Sequence, residues 1–334
     1  MATLCDIFLE REKSTLSPHA FLTSNTRGRE HPYVPCEMRT EFQRDRDRII
    51  HSQSFRRLMN KTQVFLAPKG DHYRTRLTHT LEVTQIARII ARGLRLNEDL
   101  TEAIAMGHDL GHTPFGHAGE EVMQELYSKD FTHYKQSLRV VEKLENDGRG
   151  LNLTWEVRDG IVNHTGSCMA STLEGVIVKF ADRIAYINHD IDDACRAGIL
   201  REEDIPLSLR EVLGKTHGER INTMVTSVIR TSTGLSEIKM SDEIRDATHA
   251  LRTFLFENVY TNPVAKAGDG KAKGLLAALF EYFVKNPEQM PTRYRRDLES
   301  EGVARCVCDF ISGMTDRYAI ETYQRLFVPK VWNS

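Results

Sequence analysis

A chain of 334 residues with 40% hydrophobic and 28% charged residues can bury a sizeable core, and this balance excludes an intrinsically disordered protein. The formal net charge of -2 at pH 7 gives no global basic field that would point to a nucleic-acid binder. No signal-peptide pattern, membrane-length apolar run or C-x-x-C pair is present. These features predict a cytoplasmic protein with reduced thiols and no membrane partner.

Local composition divides the chain into three predicted regions. Residues 1–36 are predicted to form an irregular arm, residues 37–200 a helical core, and residues 201–334 a helical region packed on the same domain. Few segments alternate with period two, which predicts an all-α fold with at most one short β-hairpin, beginning with a strand at 62–66. Helical periodicity predicts helices over residues 78–94, 99–110, 117–127, 134–146, 172–197, 275–285 and 303–326.

Two histidines and an aspartate are predicted to face the core. His79 shares a helical stripe with Val83, and His108 shares one with Ile104 in the next helix, directly before Asp109. A single histidine on an apolar face is more often an ordinary core residue. A buried carboxylate beside two imidazoles is different, because its charge must be compensated. A divalent cation would supply that compensation.

A further carboxylate comes from the predicted helix at 172–197. This helix is apolar on most sides, but Asp182, Tyr186 and Asp190 follow one another at one-turn intervals. The alternative interpretation of this stripe is a solvated edge with salt bridges. Imidazole and carboxylate ligands suit Mn, Fe, Co, Ni or Zn and, less tightly, Mg. The sequence predicts one divalent metal ion, of undetermined identity, held by His79, His108, Asp109 and Asp182.

Five sequence blocks carry a family resemblance, namely FRRLMNKTQVF at 55–65, RTRLTHTLEV at 74–83, HDLGHTPFGHAGE at 108–120, FADRIAYINHDIDD at 180–193 and ISGMTDRYA at 311–319. In order along the chain they resemble the deoxynucleoside triphosphate triphosphohydrolases of the HD superfamily, the bacterial dGTPase-like proteins, whose metal signature is H…HD…D. The resemblance covers nearly the whole chain and implies an HD-domain helical fold. It also implies water attack at the α-phosphorus of a dNTP, giving a deoxynucleoside and inorganic triphosphate.

The same resemblance assigns catalytic roles. His112 and His117 would contact the α-phosphate, and His117 would protonate the departing 5′-oxygen. Glu120 would keep His117 protonated, because a carboxylate three residues later on a helix favours the imidazolium. His133 matches a further active-site histidine of the family. The alternatives are a surface histidine at a helix start for His117 and a helix cap for His133.

The resemblance also implies residues that bind the substrate. Arg57 matches the phosphate-contacting arginine of the family, and Arg183 would reach the same triphosphate. Tyr186 would pack against the deoxyribose and leave little room for a 2′-hydroxyl, while Asp190 would bond the 3′-hydroxyl. Gln43 would help to hold that 3′-hydroxyl.

Other functions are open at this point. One is another HD phosphohydrolase, such as a nucleotidase or a cyclic-nucleotide phosphodiesterase. The other is a nucleotide-responsive protein that binds nucleic acid, such as single-stranded DNA, through a vestigial site. The resemblance further implies a homo-oligomer, a hexamer in some members, and in some members a dNTP activator at a second site. Tyr318, in the last block, would approach the base.

Overall fold

The computed structural model describes residues 2–63, 74–262 and 268–329, and these residues form helices connected by short loops. The predicted all-α fold is confirmed. The described residues contain no strand, only the isolated bridges Arg29–Thr154 and Thr62–Thr75, and positions 64–66 of the predicted strand lie outside them. The α-helices are α1 Leu4–Thr15, α2 Glu41–Ile50, α3 Gln53–Arg57, α4 Arg76–Leu94, α5 Glu98–Gly107, α6 His117–Leu126, α7 His133–Arg139, α8 Trp155–Val162, α9 Leu173–Arg196, α10 Leu207–Leu213, α11 His217–Ser232, α12 Asp242–Leu255, α13 Asp269–Lys285, α14 Thr292–Arg295, α15 Leu298–Glu301, α16 Val303–Ser312 and α17 Asp316–Phe327.

Helices α4, α5 and α9 pack against one another at the centre of the molecule. A capping box between Thr75 and Thr78 starts α4, and Arg95 ends it in the left-handed region with φ 54°. The Asn97 side chain then accepts hydrogen bonds from two backbone N–H groups of the first turn of α5. These local signals fold α5 back against α4. Their apolar faces form the first hydrophobic core with those of α2 and α8 to α12.

The last helices build a second hydrophobic core on α6. Val122 and Met123 of α6 pack there with Leu276 and Leu279 of α13 and with residues of α16 and α17. The predicted region 201–334 is therefore divided between two cores, because its residues up to Val259 belong to the first. No helix in the described ranges has the length and apolarity needed to cross a bilayer.

Two predictions of local structure are wrong. The arm at 1–36 is not irregular throughout, because a capping box of Thr3 and Asp6 starts the twelve-residue helix α1. The single helix predicted over 303–326 is two helices. The break follows Gly313, where the Thr315 side chain accepts a hydrogen bond from the Tyr318 N–H and so begins α17.

The N-terminal arm is held by a buried carboxylate. Oε1 of Glu174 accepts hydrogen bonds from the backbone N–H groups of Phe21, at 2.9 Å, and Asn97, at 3.0 Å. The other oxygen, Oε2, is buried without a hydrogen-bond partner among the described residues. Burial raises the pKa of Glu174 to about 7 from its ordinary value of 4.5.

We expect this carboxyl group to make the folded state less stable as the pH rises from about 4.5 to about 7. The folded protein holds a proton in that window that the unfolded chain has released, so stability falls with pH by at most about 1.4 kcal/mol per pH unit. Glu174→Gln mimics the protonated group and should remove this part of the dependence. Urea unfolding of both proteins at pH 5 and 7.5 measures it. The assignment would be contradicted if the free energy of unfolding changed equally between pH 5 and pH 7.5 in both proteins.

Candidate metal centre and active site

The four residues predicted as metal ligands come together where α4, α5 and α9 meet. Nε2 of His79 lies 3.2 Å from Oδ1 of Asp182 and 4.0 Å from Oδ2 of Asp109. Nε2 of His108 lies 3.4 Å from Oδ1 of Asp109 and 3.9 Å from Oδ1 of Asp182. Asp182 is the most accessible of the four, with 19% of its side chain exposed. The cluster is buried but open to solvent on the side of α9.

The chemistry of this cluster fits a divalent cation. Nδ1 of His108 donates to the Ala105 carbonyl at 2.6 Å, so Nε2 carries a lone pair. That Nε2 is buried and has no hydrogen-bond partner among the described residues. Burial alone would raise the pKa of Asp109 and of Asp182, but the surrounding imidazoles, and Arg76 at Asp109, hold both below their ordinary values. Two ionised carboxylates and an unused imidazole nitrogen are suitable donors for a metal ion.

An arginine that the sequence analysis did not select belongs to this cluster. Arg76 lies one helical turn before His79 on α4, and its side chain is buried. Its Nη1 lies 3.1 Å from Oδ2 of Asp109. The spacing of three residues from His79 was a readable signal, because it places both side chains on one helix face.

The second group of histidines lies beside Asp109. Nε2 of His112 is 3.2 Å from Oδ1 of Asp109. The His112 and His133 rings stack with centroids 4.0 Å apart. His117, the first residue of α6, is exposed to solvent. Although the side chain is accessible, the protein atoms around it shield it from bulk water, and this desolvation, together with the positive charge of Arg76, lowers its pKa.

Glu120 contacts a different histidine from the one predicted. Its Oε2 lies 3.1 Å from Nδ1 of His133, and its Oε1 accepts the His133 backbone N–H at 3.0 Å. No hydrogen bond joins it to His117 in the described part of the chain, and the pKa of His117 is lowered despite the charge of Glu120. Glu120 is one of the groups that raise the pKa of His117, so its predicted role stays a prediction, but its hydrogen bonds go to His133. The cause is tertiary, since the start of α7 approaches α6 from outside the helix.

Close backbone packing fixes this arrangement. A Cβ at Gly111 would lie 2.1 Å from the backbone nitrogen of Ser137, so only glycine lets the loop after Asp109 meet α7 so closely. The Ser137 hydroxyl donates to the His108 carbonyl and accepts the Gly111 N–H. Lys61, fully buried, donates to the His112 carbonyl from the opposite side. The loop is thus held from two directions.

The polar stripe of α9 continues from the cluster as predicted. Arg183 makes no hydrogen bond or ion pair with any described residue, and it is half-buried. Tyr186 is also half-buried, one turn beyond Asp182. Asp190, a further turn along, accepts a hydrogen bond at Oδ2 from the Tyr260 hydroxyl, while its Oδ1 is buried without a partner in the described ranges. Burial raises the pKa of Asp190 to about 7.

Neither Arg57 nor Gln43 makes a hydrogen bond or ion pair with the four clustered residues in the described part of the chain. Arg57 donates to Ser54 at 2.6 Å and lines a cavity of about 990 Å³ that also includes Gly111, in the loop after Asp109. The Gln43 side chain closes the capping box of α2 and donates to Asp99 at 2.8 Å. The glutamine beside the site is Gln63, whose backbone carbonyl faces Arg76 and whose Oε1 is buried and unpartnered in the described chain.

Two other neighbours were missed because only the tertiary structure brings them close. The His164 ring follows α8 and lies 5.0 Å, between centroids, from the ring of His108. Burial lowers the pKa of His164 to about 3, so it is neutral. Tyr260, the partner of Asp190, lies beyond the end of α12. Tyr318 is 41% exposed beside Phe310.

Comparison with known proteins agrees with this site. The HD domain family matches residues 76–187, which include the four clustered side chains, and the phosphohydrolase-associated domain matches residues 238–325. A solved phosphohydrolase from Bacteroides thetaiotaomicron shares the fold, with a TM-score of 0.54 and 16% identity over 84% of this chain and 67% of that one. The fold and the cluster are those of an HD-domain phosphohydrolase.

Curated relatives define the family more closely. A deoxyguanosinetriphosphate triphosphohydrolase-like protein of Caldanaerobacter subterraneus is 58% identical over 98% of this chain and 96% of its own length. Relatives of the same name are 49% identical in Clostridium perfringens, over 96% of both chains, and 40% identical in Geobacter sulfurreducens, over 95% and 96%. This chain belongs to the family of deoxyguanosinetriphosphate triphosphohydrolase-like proteins.

Asp182→Asn should weaken Mn²⁺ binding by at least about 100-fold, because it removes the charge of a direct ligand, whereas loss of a supporting partner typically costs about 10- to 100-fold. Titration of the metal-free protein, with free Mn²⁺ followed by electron paramagnetic resonance, measures the affinity. His249→Gln, on the exposed side of α12, serves as the control. Binding that is unchanged in Asp182→Asn would mean that the ion lies elsewhere.

Proposed function

We propose that this protein is a metal-dependent hydrolase of deoxynucleoside triphosphates, either dGTP or several dNTPs. Water would attack the α-phosphorus, the bond from phosphorus to the 5′-oxygen would break, and a deoxynucleoside and inorganic triphosphate would leave. The observation that carries the proposal is the Asp109 carboxylate, which faces both the Arg76 guanidinium and the unused Nε2 of His108. The names of the relatives supply the substrate and the reaction.

The polyphosphate would be held by residues on both sides of the cluster. A divalent ion held by His79, His108, Asp109 and Asp182 would supply the charge that lowers the pKa of a water molecule and polarises the phosphoryl group. Arg76 would pair with a phosphoryl oxygen next to Asp109, as guanidinium groups do with phosphate. Arg183, which has no partner in the described chain, is free to bind the outer phosphates.

Three histidines and Glu120 surround the position that the α-phosphate would take. Glu120 orients His133 through Nδ1, which leaves Nε2 of His133 for the substrate. His112, hydrogen-bonded to Asp109, supports the His133 ring by stacking. His117 would protonate the departing 5′-oxygen. Its pKa is lowered in the free protein, and the negative charge of a bound triphosphate would raise that pKa and load the proton.

The deoxyribose would lie along α9. Oδ1 of Asp190 is buried and unpartnered in the described residues, so it can accept the 3′-hydroxyl, while the Tyr260 hydroxyl holds the other oxygen. Tyr186 stands between Asp182 and Asp190 on the same helix, where its ring would contact C2′ and exclude a 2′-hydroxyl. Ribonucleotides should therefore be poor substrates.

The reaction is tested by incubating the protein with Mn²⁺ and the four dNTPs, singly and in pairs, in water enriched in ¹⁸O. We expect inorganic triphosphate that carries the label and a deoxynucleoside that does not, because attack occurs at phosphorus. Pairs of dNTPs reveal an activating nucleotide, and light scattering in the same buffer measures the homo-oligomer. Release of pyrophosphate or orthophosphate alone would refute the proposal, and cleavage of monophosphates or cyclic nucleotides would favour a different HD phosphohydrolase.

Arg76→Lys should lower kcat/KM about 100-fold or more, because lysine keeps the charge but loses the bidentate geometry that stabilises the transition state. Arg57→Lys should change it less than about threefold, since the Arg57 guanidinium contacts Ser54 and Glu145 and not the clustered residues. Steady-state kinetics with the best dNTP compares the two variants. A larger loss of kcat/KM in Arg57→Lys than in Arg76→Lys would instead assign the phosphate contact to Arg57.

A further inference from the structure

A chain of polar side chains lies behind His79, on the side away from the cluster. Nδ1 of His79 is 3.3 Å from Nδ1 of His189, and the two rings are nearly perpendicular, at 88°. Nε2 of His189 lies 3.3 Å from Oε2 of Glu82. His79 and His189 are buried, and Glu82 has 39% of its side chain exposed. Glu82 and His189 are outside the set of residues assigned above.

Without a cation, Nε2 of His79 can donate to the ionised Asp182 carboxylate 3.2 Å away, and a cation would replace that proton. With both rings neutral, the contact between the two imidazoles admits two arrangements of protons. Each neutral ring carries one N–H, and the short contact requires one donor and one acceptor. If His79 donates from Nδ1, its Nε2 holds a lone pair and can bind a metal. If His189 donates from Nδ1, the Nε2 of His79 carries the proton and cannot bind one.

Glu82 decides between these arrangements. An ionised carboxylate only accepts, so it favours the proton on Nε2 of His189 and repels a lone pair there. With its proton on Nε2, His189 has a lone pair on Nδ1 and must accept from His79. The arrangement with a free lone pair at Nε2 of His79 is therefore the one that Glu82 stabilises.

Arg74 holds this carboxylate in place. Its Nε lies 3.1 Å from Oε2 of Glu82, and its Nη1 lies 2.7 Å from Asp192 and 3.2 Å from Asp193 on α9. Glu82 is thus fixed by an arginine that is itself anchored to the helix bearing His189. An isolated surface carboxylate would lack this orientation.

His108 reaches the same state by another means. Its Nδ1 donates to the backbone carbonyl of Ala105, which no side-chain substitution can remove. The lone pair of His79 instead depends on two replaceable side chains. Because of this difference, the position of the protons on His79 can be altered without substituting any of the four clustered residues.

We propose that Glu82 and His189 are positioning residues that set the tautomer of His79 for binding a divalent cation. The inference rests on the metal centre proposed above. Outer partners of this kind typically change metal affinity by about 10- to 100-fold. Because both act through one chain of contacts, their effects should not add.

The test measures Mn²⁺ affinity of the metal-free full-length protein by electron paramagnetic resonance. Glu82→Gln and His189→Leu should each weaken binding about tenfold or more, and the double variant should be no weaker than His189→Leu. His189→Gln, whose carbonyl can accept from His79, should recover part of the loss. Glu98→Gln, which removes an ion pair with Arg92 near the far end of α4, is the matched control and should bind as the wild type does.

A second measurement does not depend on affinity. In ¹⁵N-imidazole spectra of the metal-free protein, the His79 signals, identified by their loss in His79→Gln, should show a protonated Nδ1, and Glu82→Gln should move that proton towards His189 and leave Nδ1 of His79 unprotonated. Wild-type affinity in both Glu82→Gln and His189→Leu, or losses that add in the double variant, would overturn the inference alone. A wild-type protein that binds no Mn²⁺ would overturn the metal centre as well. Glu82 is partly exposed, so Glu82→Gln decides the matter even if His189→Leu does not fold.

Discussion

The ionised carboxylate of Asp109 is the constraint around which the central helices are arranged. A buried charge of this kind is costly unless positive groups surround it, and desolvation is the largest influence on its pKa. Arg76 from α4 faces one oxygen, while His108 and His112 face the other. Each of these groups lies on or next to a helix of the first core, so the packing of α4 against α5 and the electrostatics of the site depend on each other.

The loop after Asp109 connects the cluster to the histidines beyond it. Phe115 and Gly116 both have positive φ, of 60° and 57°, and reverse the chain so that α6 starts beside Arg76. A Cβ at Gly116 would approach Nη2 of Arg76 to 3.2 Å. Phe115 adopts this backbone conformation although it is not glycine, and its ring packs in the second core, which helps to offset the strain.

The sequence was sufficient for the helices and for the meeting of His79, His108, Asp109 and Asp182, because helical periodicity and the adjacency of His108 and Asp109 are local signals. The capping box at Thr3 was equally local and was overlooked. The partner of Glu120 could not be read in this way, since it depends on where α7 packs against α6. Arg76 could have been selected from its spacing of three residues before His79, but no local signal showed that its guanidinium meets Asp109.

The hydrogen bond between Asp190 and Tyr260 could not be predicted from local sequence signals either, because 70 positions separate the two residues. Sequence patterns placed Asp190 on the correct face of α9 but gave no indication of what would hold it. What periodicity supplies is the direction of a side chain from its own helix. Helix packing determines which groups that side chain contacts, and these contacts matter most for the charged residues of a site.

Helix α6 belongs to the second core but carries two residues of the candidate active site. Its apolar side belongs to the C-terminal core, whereas its first turn carries His117 and Glu120, and the metal-facing side chains are anchored in the other core. Loosening of α13 or α16 would displace His117, the proposed proton donor, while the proposed metal site kept its shape. Substitutions that destabilise the C-terminal helices should therefore slow turnover while the affinity for the metal ion stays nearly unchanged.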